Sequence, residues 1–363
     1  MKKKYKISQR LKSYYQLNSY ISSISNKQLN RLFKENEQTN GWGKNHKLRV
    51  QGQVVFVKRI PLTKLEYKKA FSTKNVFKLP CYYNYGVGSA GFGAFRELLT
   101  HIKTSNWVLN KEIENFPLLY HNRIIKVENL KENNRKANEK YIAYWNDNKN
   151  IGKFFEARKN AEYELVLFLE YFPYTLYNWF DKNTQKAATL FRDMKNISAF
   201  LQQKGIVHFD AHFGNCLSDG RQLYLSDFGL ALDKNFELTK EERSFYEEHS
   251  YYDLAEYLWA MADQVVKMYN SLPTKKQAKF KQFELKPNLH KSKQLKILTE
   301  NIEAIFKQRL LNIHDDLYQI IKKEKATILH FNKFIFSLQA NKKKDNKFDG
   351  MKVKKYQEAN KRI

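Results

Sequence analysis

The apolar residues change their period near Pro173, and no other feature limits the fold of this chain as strongly. Ahead of that point lie short alternating or continuous apolar runs bounded by turn residues, the pattern of half-buried and buried strands. Residues 47–50 and 53–60 are two such runs, separated by Gln51-Gly52 and closed by Pro61, and they predict a hairpin. Residues 116–125 and 163–170 predict two more strands. Between them and the hairpin, Phe95, Leu98, Leu99 and Ile102 recur at spacings of three and four, which predicts one helix beginning near Gly93. Behind Pro173 the spacing is helical. Leu190, Met194, Ile197 and Leu201 form a stripe that stops at Gly205, and further helices are predicted over 238–249, 252–268 and, in pieces, 274–339. The expected fold class is α+β, with a small antiparallel sheet and one main helix first and a mainly helical part second.

Composition sets the limits around that pattern. With 363 residues, 42% of them hydrophobic, the chain buries a large core and is not a disordered segment. Lys and Arg number 65 against 37 Asp and Glu, a net charge of +28, which favours an anionic partner. The cations are scattered among Asn, Ile and Tyr rather than gathered in one block, so the charge alone does not say which anion. The two cysteines, Cys81 and Cys216, are too few for a disulfide framework and have no metal-ligand spacing, which suits a reducing, cytoplasmic setting. The basic start of the chain has no apolar stretch behind it, and the most apolar run, 165–169, is far shorter than the ~20 residues of a membrane helix. No membrane span is expected. The layout reads as an N-terminal extension over 1–35, a sheet-bearing part over 36–170 with a polar, exposed insertion near 128–161, a helical part over 171–339, and a basic flexible tail over 340–363.

The densest polar cluster sits among the short strands predicted at 206–207, 215–217 and 223–225. His208-Phe-Asp210 is followed by Asn215, and Asp227-Phe-Gly229 comes after the third strand. Asp210, Asn215 and Asp227 are hard oxygen donors of the type Mg²⁺ requires. His208 and His212 alternate with Asp210 on one loop and lack the further ligands of a zinc site.

These residues resemble the protein-kinase-like phosphotransferases. His208-Phe-Asp210 with Asn215 five positions beyond the aspartate is similar to that family's catalytic loop, and Asp227-Phe-Gly229 to its metal-binding element. The resemblance covers about residues 40 to 265 and implies a bilobal fold, ATP and Mg²⁺ as cofactors, and a role for each matching position. Lys58, in Val55-Phe-Val-Lys58, is implied to grip phosphates, with Glu97 on the first helix as its partner and Glu66 as a competitor for that place. Asp210 is implied to be the catalytic base, with His208 bracing its loop, and Asn215 and Asp227 to hold the metal. Glu170 and Phe172, in Glu170-Tyr-Phe-Pro173, are implied to meet the adenine through backbone groups, and Gly41 and Gly43 to cover the phosphates. Asp253 is implied to steady the catalytic loop; a helix N-cap explains it equally well. A second glycine run, Gly86-Val-Gly-Ser-Ala-Gly91, matches G-x-G-x-x-G, but it lacks the preceding strand and following acid of a dinucleotide site and reads better as a tight turn into the helix bearing Glu97.

Departures from the pattern bear on the acceptor. His212 stands two residues after Asp210, where protein kinases commonly carry Lys or Arg, and this loop is similar to that of aminoglycoside and choline phosphotransferases. No A-P-E element follows Gly229. Asp227-Phe-Gly-Leu-Ala231, on the other hand, is the protein-kinase form of the metal motif. The expectation is an atypical Ser/Thr protein kinase acting on a protein hydroxyl. The alternatives are a kinase for small hydroxylated molecules and a pseudokinase or basic scaffold; nucleic acid is not expected as a partner, since no recognition motif accompanies the charge.

Overall fold

The computed structural model describes residues 2–35, 38–39, 44–127 and 135–360. Gly41 and Gly43 lie outside the described residues. The chain forms two compact units, one comprising Met1–Pro173 with Tyr224–Thr239 and the other Tyr174–Leu223 with Lys240–Ile363. The fold is α+β. No helix among the described residues is long and apolar enough to cross a membrane.

In the first unit, helices α1 (Lys2–Ser23) and α2 (Asn26–Glu35) precede strands β1 (Gln38–Thr39), β2 (Lys44–Val50) and β3 (Gln53–Leu62). A short helix, α3 (Lys64–Lys68), and the long helix α4 (Ala94–Leu109) follow, then β4 (Leu119–Lys126), α5 (Arg135–Tyr144), α6 (Lys149–Lys159) and β5 (Tyr163–Glu170). The strands form one antiparallel sheet in the order β1-β2-β3-β5-β4. Strand β3 does not end at Pro61: it runs on to Leu62, with Pro61 opposite Glu164.

Alternation along β3 decides what the sheet presents to helix α4. Ile60 and Leu62, with Leu165, Leu167 and Leu169 of β5, pack against Ala94, Phe95 and Leu98, and Phe56 joins the edge of this cluster. Lys58 has the same parity as Phe56 and Ile60, so the pleat turns its side chain to the helix-bearing face.

Three expectations about the periphery are corrected. The N-terminal extension is part of the unit: Leu17 and Ile21 are fully buried, and Arg123 of β4 donates to the carbonyls of Ile21, Ser22 and Ile24 at the end of α1. The insertion near 128–161 is not an exposed excursion where it is described: Ile151 is buried, and Trp145, between α5 and α6, and Phe154 on α6 are buried against Phe77, Tyr82 and Tyr83. The third correction is the tail, in the second unit.

That unit holds β6 (Tyr174–Thr175), α7 (Leu176–Trp179), α8 (Ala187–Lys204), β7 (Ile206–Val207), β8 (Cys216–Ser218), α9 (Lys240–Glu248), α10 (Tyr252–Asn270) and further helices to Asn360. Strand β6 pairs with β8. The stripe Leu190, Met194, Ile197 and Leu201 is buried, and α8 ends where Gly205 takes a left-handed conformation at φ 82°. Helix α10 is buried almost throughout. Residues 350–360 are helical, and Phe348 is buried among Tyr252, Phe331 and Phe334. At Gly350 a Cβ would stand 2.5 Å from the Glu248 carbonyl oxygen, so only glycine permits that approach. The aromatic and the glycine tie down a segment whose lysines suggested a flexible tail.

His249 lies in the same aromatic cluster, stacked on Phe245 with its Nδ1–H toward the Phe245 carbonyl. Burial lowers its imidazole from the ordinary value to about 4. The unfolded chain therefore takes up this proton near pH 6.5 while the folded one refuses it until about pH 4, and stability falls as pH drops through that window. The expected loss is about 3 kcal/mol. Denaturant melts at pH 7 and pH 4 should show a smaller drop for His249→Phe than for the wild-type chain; equal drops would refute the assignment.

Candidate active site

The first unit contributes a triad that the sheet and α4 bring together. Helix α4 has no side-chain cap of its own at Gly93; the carboxylate of Glu66 takes that part, accepting from Ala94 N at 2.9 Å while its other oxygen accepts from Thr63 N and Oγ1. Glu66 is thus a helix cap, which removes it as a competitor for Lys58. One turn into α4, Glu97 Oε1 lies 2.6 Å from Lys58 Nζ, and Lys58 also donates to Asp227 Oδ1 at 2.7 Å. Burial alone would lower the pKa of the Lys58 ammonium, but Asp227 and then Glu97 reverse this and hold it above its ordinary value. Burial pushes the Glu97 carboxyl up against the pull of Lys58. The ammonium is therefore fixed in charge and position between two carboxylates.

Asp227 is held in the left-handed region, φ 64°, and its Oδ1 also accepts from Gly229 N at 3.2 Å. A non-glycine residue there costs about 1–3 kcal/mol, which the surroundings must impose. At Gly229 a Cβ would stand 3.1 Å from Glu97 Oε2, so the glycine lets the loop 227–229 lie against α4. Phe228 is buried between Phe116 and the edge-on ring of His101.

The second unit contributes the loop 207–216 and the helix that holds it. Every backbone N–H from His208 to Ala211 has an acceptor. His208 N and Phe209 N donate to the two oxygens of Asp253, both at 2.9 Å, Asp210 N donates to His208 Nδ1 at 3.2 Å, and Ala211 N donates to Glu256 Oε2 at 2.6 Å. Asp253 and Glu256 are three apart on α10 and share one face. Burial raises Asp253 to about 6, against the two N–H groups that favour its charged form, and burial followed by the nearby Asp210 and Asp253 raises Glu256. His208 is wholly buried, a brace within the loop. Phe209 is strained at φ 64°, like Asp227.

This frame fixes Asp210. Asn215 Nδ2 donates to its backbone oxygen at 2.9 Å and to Oδ2 at 2.8 Å, which turns the amide oxygen of Asn215 away from that carboxylate. His212 accepts from Gly214 N at Nδ1, so the neutral ring carries its proton on Nε2, 3.5 Å from Asp210 Oδ1. Both donors assigned to the metal, Asp227 and Asn215, offer hard oxygen, and Asp227 keeps 39% of its side chain exposed. Among the described residues no group of three or more His, Cys, Asp or Glu forms a metal cage. Asp227 in the first unit and Asn215 in the second each carry a hard oxygen donor of the type Mg²⁺ takes beside waters and substrate phosphates.

At the end of β5 the Glu170 side chain pairs with Arg10, and its N–H donates to the Leu118 carbonyl at 2.8 Å, so that N–H is not available to adenine. Phe172 stacks on Tyr224 at 3.8 Å, and its backbone N–H makes no hydrogen bond among the described residues. Sequence reasoning missed Glu256, Arg10 and Arg158, the last lying at 3.8 Å from the Cβ position of Gly91. The three-residue offset from Asp253 was a signal for Glu256; the two arginines had none. In comparisons with family models and with curated proteins, the sequence has no match.

Proposed function

We propose that this chain is an ATP- and Mg²⁺-dependent phosphotransferase of the bilobal protein-kinase-like kind, an atypical Ser/Thr protein kinase acting on a protein hydroxyl. The observation that carries the reading is Lys58 held between Glu97 and Asp227, three positions specified by separate motifs. A lysine held between a buried carboxylate and a partly exposed one suits the positioning of triphosphate oxygens. The clamp of Asp253 and Glu256 on the loop of Asp210 supports it, because a base has to be presented in one orientation. The sheet-bearing unit and the helical unit have the contents of the two lobes this fold calls for.

In this reading Lys58 binds phosphate oxygens, and Phe172 offers its N–H to adenine. Asp210 accepts the proton of the acceptor hydroxyl as that oxygen bonds to the γ-phosphorus and the bond to the β-phosphate bridging oxygen breaks, releasing ADP. Mg²⁺, when bound by Asp227 and Asn215, supplies neutralisation of charge on the phosphate oxygens. Cys81 and Cys216 are not joined in a disulfide, which suits a cytoplasmic setting.

A second reading, a kinase for small hydroxylated molecules, draws on the position of His212 against Asp210. Incubation with γ-labelled ATP, with and without Mg²⁺, tests both. Mg²⁺-dependent label on this chain or on a generic acceptor protein supports the first, label only on an aminoglycoside or choline supports the second, and no transfer to any acceptor, with no ATP binding, ends both.

A further inference from the structure

We infer that Arg158 and the loop 86–91 form a phosphate-binding cradle beside Lys58, a role neither the motifs nor their family resemblance assigns; the inference rests on the phosphotransferase reading and names further residues of the same site. Arg158 is on α6, in the insertion, and its guanidinium lies over the Phe154 ring at 5.4 Å. Among the described residues its guanidinium makes no ion pair and no hydrogen bond, although the residue is half-buried and a guanidinium carries five donors. Its charge is felt at Glu97, where it opposes the effect of burial. Its Nη1 is 3.8 Å from the Cβ position of Gly91, and the Gly229 carbonyl is 3.5 Å from the same point. Gly229 in turn lies against Glu97 and Asp227. The arginine therefore stands at the edge of the Lys58 triad with its donors uncommitted.

The loop supplies further donors. Val87 N bonds to Tyr85 O, Ala90 N to Tyr83 Oη and Phe92 N to Gly229 O, which pins the loop at three points. Between them the N–H groups of Gly88, Ser89 and Gly91 make no hydrogen bond among the described residues, and Ser89 is buried. Gly88 and Gly91 sit at φ 105° and 92°, where side chains are strained. The α5–α6 hairpin holds the assembly, with Tyr144 Oη donating to Val87 O and the hydroxyls of Tyr83 and Tyr141 in contact. Donors with no protein acceptor at the Glu97 end of the triad, half-buried at Gly91 and Arg158, buried at Ser89 and exposed at Gly88, fit an oxyanion, and a planar fork of donors fits phosphate in particular. The occupant is the phosphate chain of the nucleotide.

Calorimetry on the full chain tests this with three probes: ATP, inorganic tripolyphosphate and adenosine. Arg158→Gln should weaken ATP and tripolyphosphate by about 10- to 100-fold and leave adenosine unchanged, as expected for loss of charge-assisted hydrogen bonds to phosphate. Arg158→Lys should recover part of the loss and, keeping the charge over Phe154, serves as the test if the glutamine variant melts early. Equal ATP and tripolyphosphate affinities in wild type and both variants overturn the inference, as does an effect confined to the KM of an acidic acceptor. The two failures are separable. If Lys58→Met weakens ATP and Arg158→Gln does not, the cradle is wrong and the kinase reading stands; if Arg158 governs tripolyphosphate binding but no phosphate is ever transferred, the cradle stands and the reading falls.

Discussion

Replacing Asp210 by asparagine is expected to slow phosphoryl transfer by about 10²- to 10⁴-fold while leaving nucleotide affinity and melting temperature close to wild type. The substitution is nearly isosteric and removes the negative charge and with it the ability to take a proton. The loop around it does not depend on the lost charge, because its N–H groups go to Asp253, Glu256 and His208 rather than to the Asp210 carboxylate. The amide oxygen still accepts from Asn215 Nδ2, which now approaches at 2.8 Å. A loss in kcat with unchanged ATP affinity is the signature of an interaction used only in the transition state. Single-turnover rates with labelled ATP, read beside calorimetric ATP binding, separate the outcomes. Full activity in Asp210→Asn removes this residue from the chemistry, and a loss confined to ATP affinity places it in binding instead.

How much of this was legible depended on whether the signal was local. Lys58 and Glu97 were paired by the family resemblance; the pleat of β3 and the pitch of α4 account for the faces they occupy, and their contact at 2.6 Å depends also on the packing of α4 against the sheet. The end of α8 at Gly205 was readable because its signal is local. The insertion was misread because a Lys- and Asn-rich background hides a few large side chains. Tyr141 and Trp145, four apart, and Ile151, Phe154 and Phe155 have helical spacing, but Trp145 and Phe154 are packed on Phe77, Tyr82 and Tyr83, more than fifty residues earlier. The same long-range dependence hid the role of α1 and of Phe348. The strained backbones of Phe209 and Asp227 left no trace in the sequence either, since nothing about Phe or Asp demands a positive φ.

The N-terminal helix carries the largest stability effect expected here, through Arg10. Its guanidinium makes a bidentate pair with Glu170, Nε to Oε1 at 2.9 Å and Nη2 to Oε2 at 2.7 Å, and donates to the carbonyls of Glu114 and Phe116 at 2.7 Å each. It also lies 5.3 Å from the centre of the Tyr224 ring. The side chains of Arg10 and Glu170 are only 7% and 12% exposed, so neither charge can turn to water if the other is removed. Arg10→Ala is expected to destabilise the chain by about 3–5 kcal/mol, chiefly by leaving a buried carboxylate uncompensated. Two carbonyls also lose their donors, and Leu118 N, at 3.1 Å, becomes a lone partner for Glu170. Most of the cost belongs to the stranded charge rather than to the pair, so Arg10→Met combined with Glu170→Leu should recover a large part of it. Urea unfolding of the wild type, the single variant and the double variant provides the check. A loss below about 1 kcal/mol in Arg10→Ala would be the value of an exposed pair and would make α1 a dispensable appendage. A large loss, relieved by the double substitution, makes it a fixed part of the sheet-bearing unit that sets the end of β5.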